Sequence, residues 1–239
     1  MGLTIQYNLK ADPATSEDVL VGHLNTLRNL ALDRGFKEVG KVITLNGTKC
    51  DYNNYRTTDK HLCWPLIQAG IHVDTPDGRS FGVAPNKVIL LSTWPGEGCE
   101  EANFGFCSYP KSFKGIKIEN PKWRWGSFCK TQYACNISLE HFLRCHLRVV
   151  ELLDKAKELG ILESVDDEGN YWEKRDLEAL AKEVVSWNEM IAGMFGKIQE
   201  AIIGKDSKLS IVAPITENKA FEHLEAKGVD RLNKMGVNL

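Results

Sequence analysis

Apolar and polar residues alternate at the start of the chain, where Leu3, Ile5, Tyr7 and Leu9 share one side of an extended segment, so a strand is predicted over 3–9. The period then changes. Leu20, Leu24, Leu27 and Ala31 recur at helical spacing. Thr15 with Asp18 offers a start and Gly35 a stop, which predicts a helix over 16–34. Val39, Lys41, Ile43 and Leu45 restore the alternation before Asn46-Gly47, giving a strand over 36–45 and a β-α-β outline.

A second region reads the same way. Residues 127–134, which contain Gln132-Tyr133, form a strand candidate, and His141 to Leu159 form a strong helix stopped by Gly160. An offset of 125 aligns Leu24 with Val149, Leu27 with Leu152, Ala31 with Ala156 and Gly35 with Gly160. Internal duplication and the shared periodicity of amphipathic helices both account for this match. Between the halves, Val88-Ile89-Leu90-Leu91 predicts a buried strand over 87–93, bounded by Pro85 and Pro95.

Further on, Asn170 and Glu173 resemble a capping box, and Leu177, Leu180, Val184, Trp187, Ile191 and Met194 form a stripe, predicting a helix over 172–195. Gly193 and Gly196 weaken its end by about 1 kcal/mol each. The tail holds a strand candidate at Leu209 to Val212 and a helix candidate from Glu217 to Ala226.

These elements predict an α+β fold with a mixed or antiparallel sheet and helices packed on one face, and two ferredoxin-like halves are one arrangement that fits. The division is an N-terminal half over 1–84, a C-terminal half over 85–204 and an extension over 205–239, and the halves also fit one compact domain. A dinucleotide fold is disfavoured, since no Gly-x-Gly-x-x-Gly follows a strand and no Walker A sequence occurs.

Composition narrows the function classes. With 239 residues, 43% of them hydrophobic, there is material for one large core or two small ones. No apolar run reaches the length of a membrane span and no export signal opens the chain, so a soluble cytoplasmic protein is expected. The seven cysteines, an odd number at uneven spacing, then read as reduced thiols. In that compartment the glycosylation patterns at Asn46 and Asn136 carry no weight.

Thirty basic against 32 acidic residues give a net charge of -2, which argues against a nucleic-acid or membrane partner. Charge is uneven locally. From Pro110 to Lys130, six basic residues face Glu119 alone, whereas eleven acids lie between Glu151 and Glu183.

The densest chemistry begins at Trp94-Pro95-Gly96-Glu97-Gly98-Cys99-Glu100, directly after the buried strand. Glu97, Cys99, Glu100, Cys129, Gln132 and His146 are expected to share one cleft. In that reading Cys129 is the nucleophile, Lys130 favours its thiolate, and His146 moves a proton. Glu97 or Glu100 orients the imidazole or acts as acid-base group, while Cys99, Lys130 and Gln132 position substrate. The competing reading puts the cysteines in the core, makes His146 a satisfied helix residue and leaves the glutamates in water.

The cysteines and His146 are also of the type that ligates metal. Without a Cys-x-x-Cys hairpin, however, no metal or cofactor is assigned. His23 lies on the apolar edge of the first helix, and His61 and His72 flank Cys63-Trp64-Pro65 without a motif. Lys122-Trp123-Arg124-Trp125 fits either base stacking with phosphate contact or a strand with packed indoles. The expected ligand is a small anionic or polar molecule, ahead of nucleic acid or a protein-interaction role.

Overall fold

The computed structural model describes residues 3–203 and 214–235. Its first half contains β1 (Thr4–Lys10), α1 (Glu17–Asp33), β2 (Glu38–Val39), β3 (Ile43–Asn46), α2 (Lys60–Ala69), β4 (Ile71–Asp74) and β5 (Ser80–Val83). There follow β6 (Lys87–Trp94), β7 (Ala102–Ser108), β8 (Ser112–Phe113), β9 (Ile116–Lys117), β10 (Lys122–Lys130) and α3 (Leu139–Glu158). The chain continues through β11 (Leu162–Asp167), α4 (Tyr171–Lys174), α5 (Leu177–Ile203) and α6 (Phe221–Lys234).

The fold is α+β, built on a seven-stranded antiparallel sheet in the order β11-β1-β10-β7-β6-β2, with β3 also paired to β6. Strands from 1–84 and from 85–204 enter this one sheet. The alternation in β1 places Ile5 opposite Cys129 on one side and Asp167 on the other. The continuous apolar run of β6 is explained by burial of Val88 to Leu91. Helices α1 and α3 lie side by side, α1 over β6 and β7, with Leu20, Leu24, Leu27 and Ala31 in the core. The β10-α3-β11 unit brackets β1, whereas β2 and β3 lie beyond β7 and β6 from β1 and β10. The two helix units aligned by the 125-residue offset thus occupy unlike places in the sheet. Among the described residues, no helix is long and apolar enough to cross a membrane.

In-register pairing of β10 with β7 is confined to Lys122 with Ser108 and Arg124 with Cys107. Beyond that point the Asn103 carbonyl accepts hydrogen bonds from the Tyr7 hydroxyl and the Trp125 indole, each at 2.8 Å. Tyr7 also stacks on Phe104 at 5.1 Å. Gly105 leaves room for this wedge, because a Cβ there would lie 3.0 Å from the Trp125 ring and 2.6 Å from the Ile89 carbonyl oxygen.

Several element limits differ from expectation for local reasons. The 36–45 strand divides into β2 and β3 around Gly40, whose amide donates to Ser92 at 2.9 Å and whose position leaves little space for a side chain. Strand β10 begins at Lys122 and ends at Lys130, and residues 132–136 form a tight 3-10 turn. The expected 172–195 helix breaks at Arg175, left-handed at φ 53°, whose guanidinium forks onto Asp154 at 2.8 and 2.7 Å. Asp176 then caps α5 by accepting from the Glu178 and Ala179 amides. Helix α6 starts four residues later than the expected 217–226 segment and runs eight residues past it, and the 209–212 strand candidate falls outside the described residues.

Helix α5 runs through Gly193 and Gly196 because α6 crosses it there. A Cβ on Gly193 would collide with the Gly228 backbone, and one on Gly228 with the Glu189 carbonyl oxygen. The cost of helical glycine is offset by close packing between the two helices. Gly228→Ala is expected to loosen α6 and cost about 1–3 kcal/mol in denaturant unfolding, with earlier proteolysis within α6. Gly22→Ala is the control: a Cβ there meets nothing, so this exposed helix position is expected to stabilise by about 0.5–1 kcal/mol.

Candidate functional site

The glycine-bearing loop after β6 folds back onto the turn after β10. Gly98 has φ +75°, and a Cβ on it would stand 2.6 Å from the Tyr133 carbonyl oxygen and the Ala134 nitrogen, so only glycine suits this docking. The Glu100 amide donates to the Lys130 carbonyl at 2.9 Å, and Trp94 donates its indole hydrogen to the Cys99 carbonyl at 3.0 Å. These bonds open a cleft of about 360 Å³ lined by Glu97, Cys99, Glu100, Lys130, Tyr133 and Asn136, among others. Glu97 pairs with Lys37 at 3.3 Å, and the Lys130 ammonium stands 4.8 Å above the Tyr133 ring.

Four expected site residues, Glu97, Cys99, Glu100 and Lys130, therefore meet around one cleft. The other three, Cys129, Gln132 and His146, are fully buried. Gln132 holds the N-terminal strand, accepting from the Leu3 amide at 3.0 Å and donating to Asn188 at 2.9 Å. Cys129 donates to the Glu100 carbonyl at 3.2 Å. Burial pushes its thiol well above the ordinary range, and the nearby Glu100 and Cys145 charges push the same way. This geometry corrects the expected nucleophile: Cys129 is a neutral, enclosed thiol.

His146 is likewise corrected from proton carrier to core residue. Its Nε2 lies 3.2 Å from Asp167 Oδ2 and its Nδ1 3.0 Å from Thr131 Oγ1, so neither nitrogen turns to Cys129. Asp167 also accepts from the Gly169 and Trp172 amides, each at 2.9 Å. An ionised Asp167 requires a hydrogen on Nε2, and in the neutral ring Nδ1 then accepts from Thr131. Hydroxyl, imidazole and carboxylate follow one another as in a nucleophilic triad, but all three are closed off from solvent and serve the fold.

A thiol with a lowered pKa, Cys145, lies one residue earlier. On α3, whose first turn is capped by Ser138, Cys145 sits one turn after His141 with its Sγ 3.6 Å from His141 Nε2. That nitrogen is also 2.9 Å from the Glu97 carbonyl oxygen, which only accepts, so Nε2 carries the hydrogen. The neighbouring Cys99 side chain lowers the Cys145 pKa to about 7 against the opposing effect of burial, helped by His141, Arg148 and Arg144. The same interaction, followed by burial, pushes Cys99 upward. The i, i+4 spacing of His141 and Cys145 was the sequence signal for this pair. Their registration with Cys99 depends on loop docking.

A cleft of about 600 Å³ lies at the other end of β7 and β10. Lys111, Lys117 and Lys122 line it, with apolar surface from Tyr109, Ile118 and Pro121. Glu119, the one acidic residue of the lining, pairs with Lys117 at 3.1 Å. The neighbouring indoles point elsewhere: Trp123 and Trp125 are buried and donate to the Thr15 and Asn103 carbonyls. His23 is half-buried on α1, and His72 lines a third cleft of about 380 Å³. Exposed His61 pairs with Glu101 at 3.1 Å, which raises its pKa.

Among the described residues, no three histidine, cysteine, aspartate or glutamate side chains are placed to hold a metal ion. Comparisons with known families, curated proteins and solved structures find no significant match to the chain.

Asp167→Ala is expected to destabilise the protein by about 3–5 kcal/mol, since it leaves His146 and two amides unpaired. Burial raises the Asp167 pKa, but the His146 hydrogen bond and charge, with the two amides, lower it overall. The carboxylate therefore stabilises the fold above its unfolded value of about 3.9 and loses that contribution as pH falls through the lowered folded value. Unfolding followed against pH is expected to show this acid limb in the native protein and a smaller one in Asp167→Asn.

Proposed function

We propose that this protein binds a small organic anion, a carboxylate or phosphate compound, in the lysine-lined cleft at the β7–β10 end. The observation that carries the reading is the composition of the 600 Å³ space: three ammonium groups and one carboxylate around apolar walls. Its size suits a metabolite, and the apolar walls favour an organic body while lysines attract its charge. Burial of both indoles removes the stacking surface on which the nucleic-acid alternative depended. The seven unpaired cysteines support a reducing, cytoplasmic setting for this activity.

The test is calorimetric titration with citrate, inorganic phosphate, a nucleoside triphosphate and a short single-stranded DNA over a range of salt concentrations. A small organic anion is expected to bind, with the Lys111→Gln/Lys122→Gln variant weakening affinity by about tenfold, as loss of two exposed charge contacts implies. Unchanged affinity in that variant would overturn the assignment of the cleft. DNA binding with a steep inverse salt dependence, together with no response to the small anions, would favour a nucleic-acid module instead.

A further inference from the structure

The cleft of about 380 Å³ that His72 lines lies between the end of α2 and the β4–β5 hairpin. Its walls are apolar. Leu66 and Val83 are buried beside it, and Ile67 and Ile71 carry the same surface outward. The register of the hairpin accounts for the space. His72 stands opposite Gly82, and a Cβ on Gly82 would meet nothing within 4 Å, so one cross-strand position is left without a side chain. The volume falls in the range of small-molecule sites.

The charge in this cleft is of one sign. Asp51 is the one acidic residue of the lining, and no lysine or arginine accompanies it among the described residues. Asp51 caps the 3-10 turn Tyr52–Asn54, where its Oδ1 accepts from the Asn53 backbone amide and side-chain amide, each at 2.9 Å. Those bonds hold the carboxylate in place through one oxygen, and Oδ2 is the acceptor offered to a ligand. Helix α2 ends at Gly70 in the same lining, which brings the negative end of its dipole to the space. That helix end is fixed: the Gly70 amide donates to the Ile67 carbonyl at 3.1 Å, and the Tyr109 hydroxyl to the Ala69 carbonyl at 2.8 Å. Tyr52, next to Asp51, adds an aromatic ring whose π-system attracts cations.

We propose that this cleft is a binding site for a small organic cation, with a primary ammonium group donating to Asp51 Oδ2 and an apolar body against Leu66, Ile71 and Val83. It shares no lining residue with the lysine-lined cleft and does not depend on anion binding there.

A bare metal ion is the competing occupant for a carboxylate. A hard cation takes about six or more oxygen ligands, whereas one carboxylate among apolar walls supplies too few. An alkylammonium group needs one strong acceptor and brings its own apolar surface, which is what the walls offer. A neutral molecule of the same shape gains the walls and forgoes the charge-assisted bond, and it is therefore the reference in the test.

The full-length protein is titrated at neutral pH with phenethylamine, phenethyl alcohol and phenylacetate, which present similar bodies with positive, neutral and negative ends. Binding is followed by calorimetry and amide NMR. The amine is expected to bind and to shift the signals of Tyr52, His72 and Val83, and the alcohol to bind about tenfold more weakly. Asp51→Asn keeps the Oδ1 acceptor and hence the turn. It is expected to weaken the amine about tenfold and to leave the alcohol unchanged. Gly82→Val places a strand-favouring side chain in the vacant cross-strand position and is expected to block both ligands, with circular dichroism confirming the fold. The Lys111→Gln/Lys122→Gln variant is the control and is expected to bind the amine as the native protein does, so this result stands or falls separately from that of the lysine-lined cleft. If Gly82→Val does not fold, Asp51→Asn and the comparison of amine with alcohol decide the outcome. Equal affinity for amine and alcohol, unchanged amine affinity in Asp51→Asn, or no amine binding at millimolar concentration would overturn the proposal.

Discussion

The buried hydrogen-bonded series Thr131–His146–Asp167 connects three parts of the molecule that otherwise meet through apolar contacts. Thr131 directly follows β10, His146 comes from the inward face of α3, and Asp167 closes β11. Apolar packing would allow α3 to slide or rotate by small amounts at little cost. Directional bonds from both imidazole nitrogens fix its register, and the bonds from Asp167 to Gly169 and Trp172 extend the constraint into α4. Cys145 precedes His146 on that helix. Its place against the loop is therefore set by a network in which it takes no part.

The loop after β6 is the second half of that arrangement. Gly98 permits contact with Tyr133 and Ala134, Gly96 permits contact with Cys145, and the exchange between Glu100 and Lys130 fastens the end of the loop to β10. Helix register and loop docking together set the close approach of Gly96 to Cys145. The consequence is local: loosening the loop separates Gly96 from Cys145 without opening the main core, because the Trp125 wedge and the β6–β7 ladder lie elsewhere in the sheet.

The periodic elements were legible because periodicity reflects burial. Alternation marked β1, the apolar run marked β6, and the stripes marked α1 and α3 within a few residues. Where a long-range contact decided local structure, single-sequence reasoning had less purchase. Gly193 looked like a weak point in α5 until α6 was seen against it, and residues 132–136 left the strand when Gln132 turned inward to bind Leu3 and Asn188. The expected cleft shows the same division. Its loop members and Lys130 were identifiable from composition next to a buried strand, while Cys129 and Gln132 depended on which way side chains faced at the end of β10. His146 carried helical spacing suited to the core, and that spacing proved the better guide than its chemical type.

The two clefts occupy opposite ends of β7 and β10, one near residues 97–101 and 130, the other near 108–111 and 122. A strand of this length spans roughly 20 Å at about 3.4 Å per residue. That separation exceeds the Debye length of about 8 Å at physiological salt, so the ammonium groups of the lysine-lined cleft contribute little through solvent to charges in the loop cleft. It also exceeds the roughly 7–10 Å beyond which substitutions without shared partners act additively. Any influence of ligand occupancy in one cleft on the other would therefore have to pass through the sheet itself. The structural candidate for such a path is the joint between β7 and β10, where Tyr7 and Trp125 share the Asn103 carbonyl instead of a regular ladder continuing between the strands.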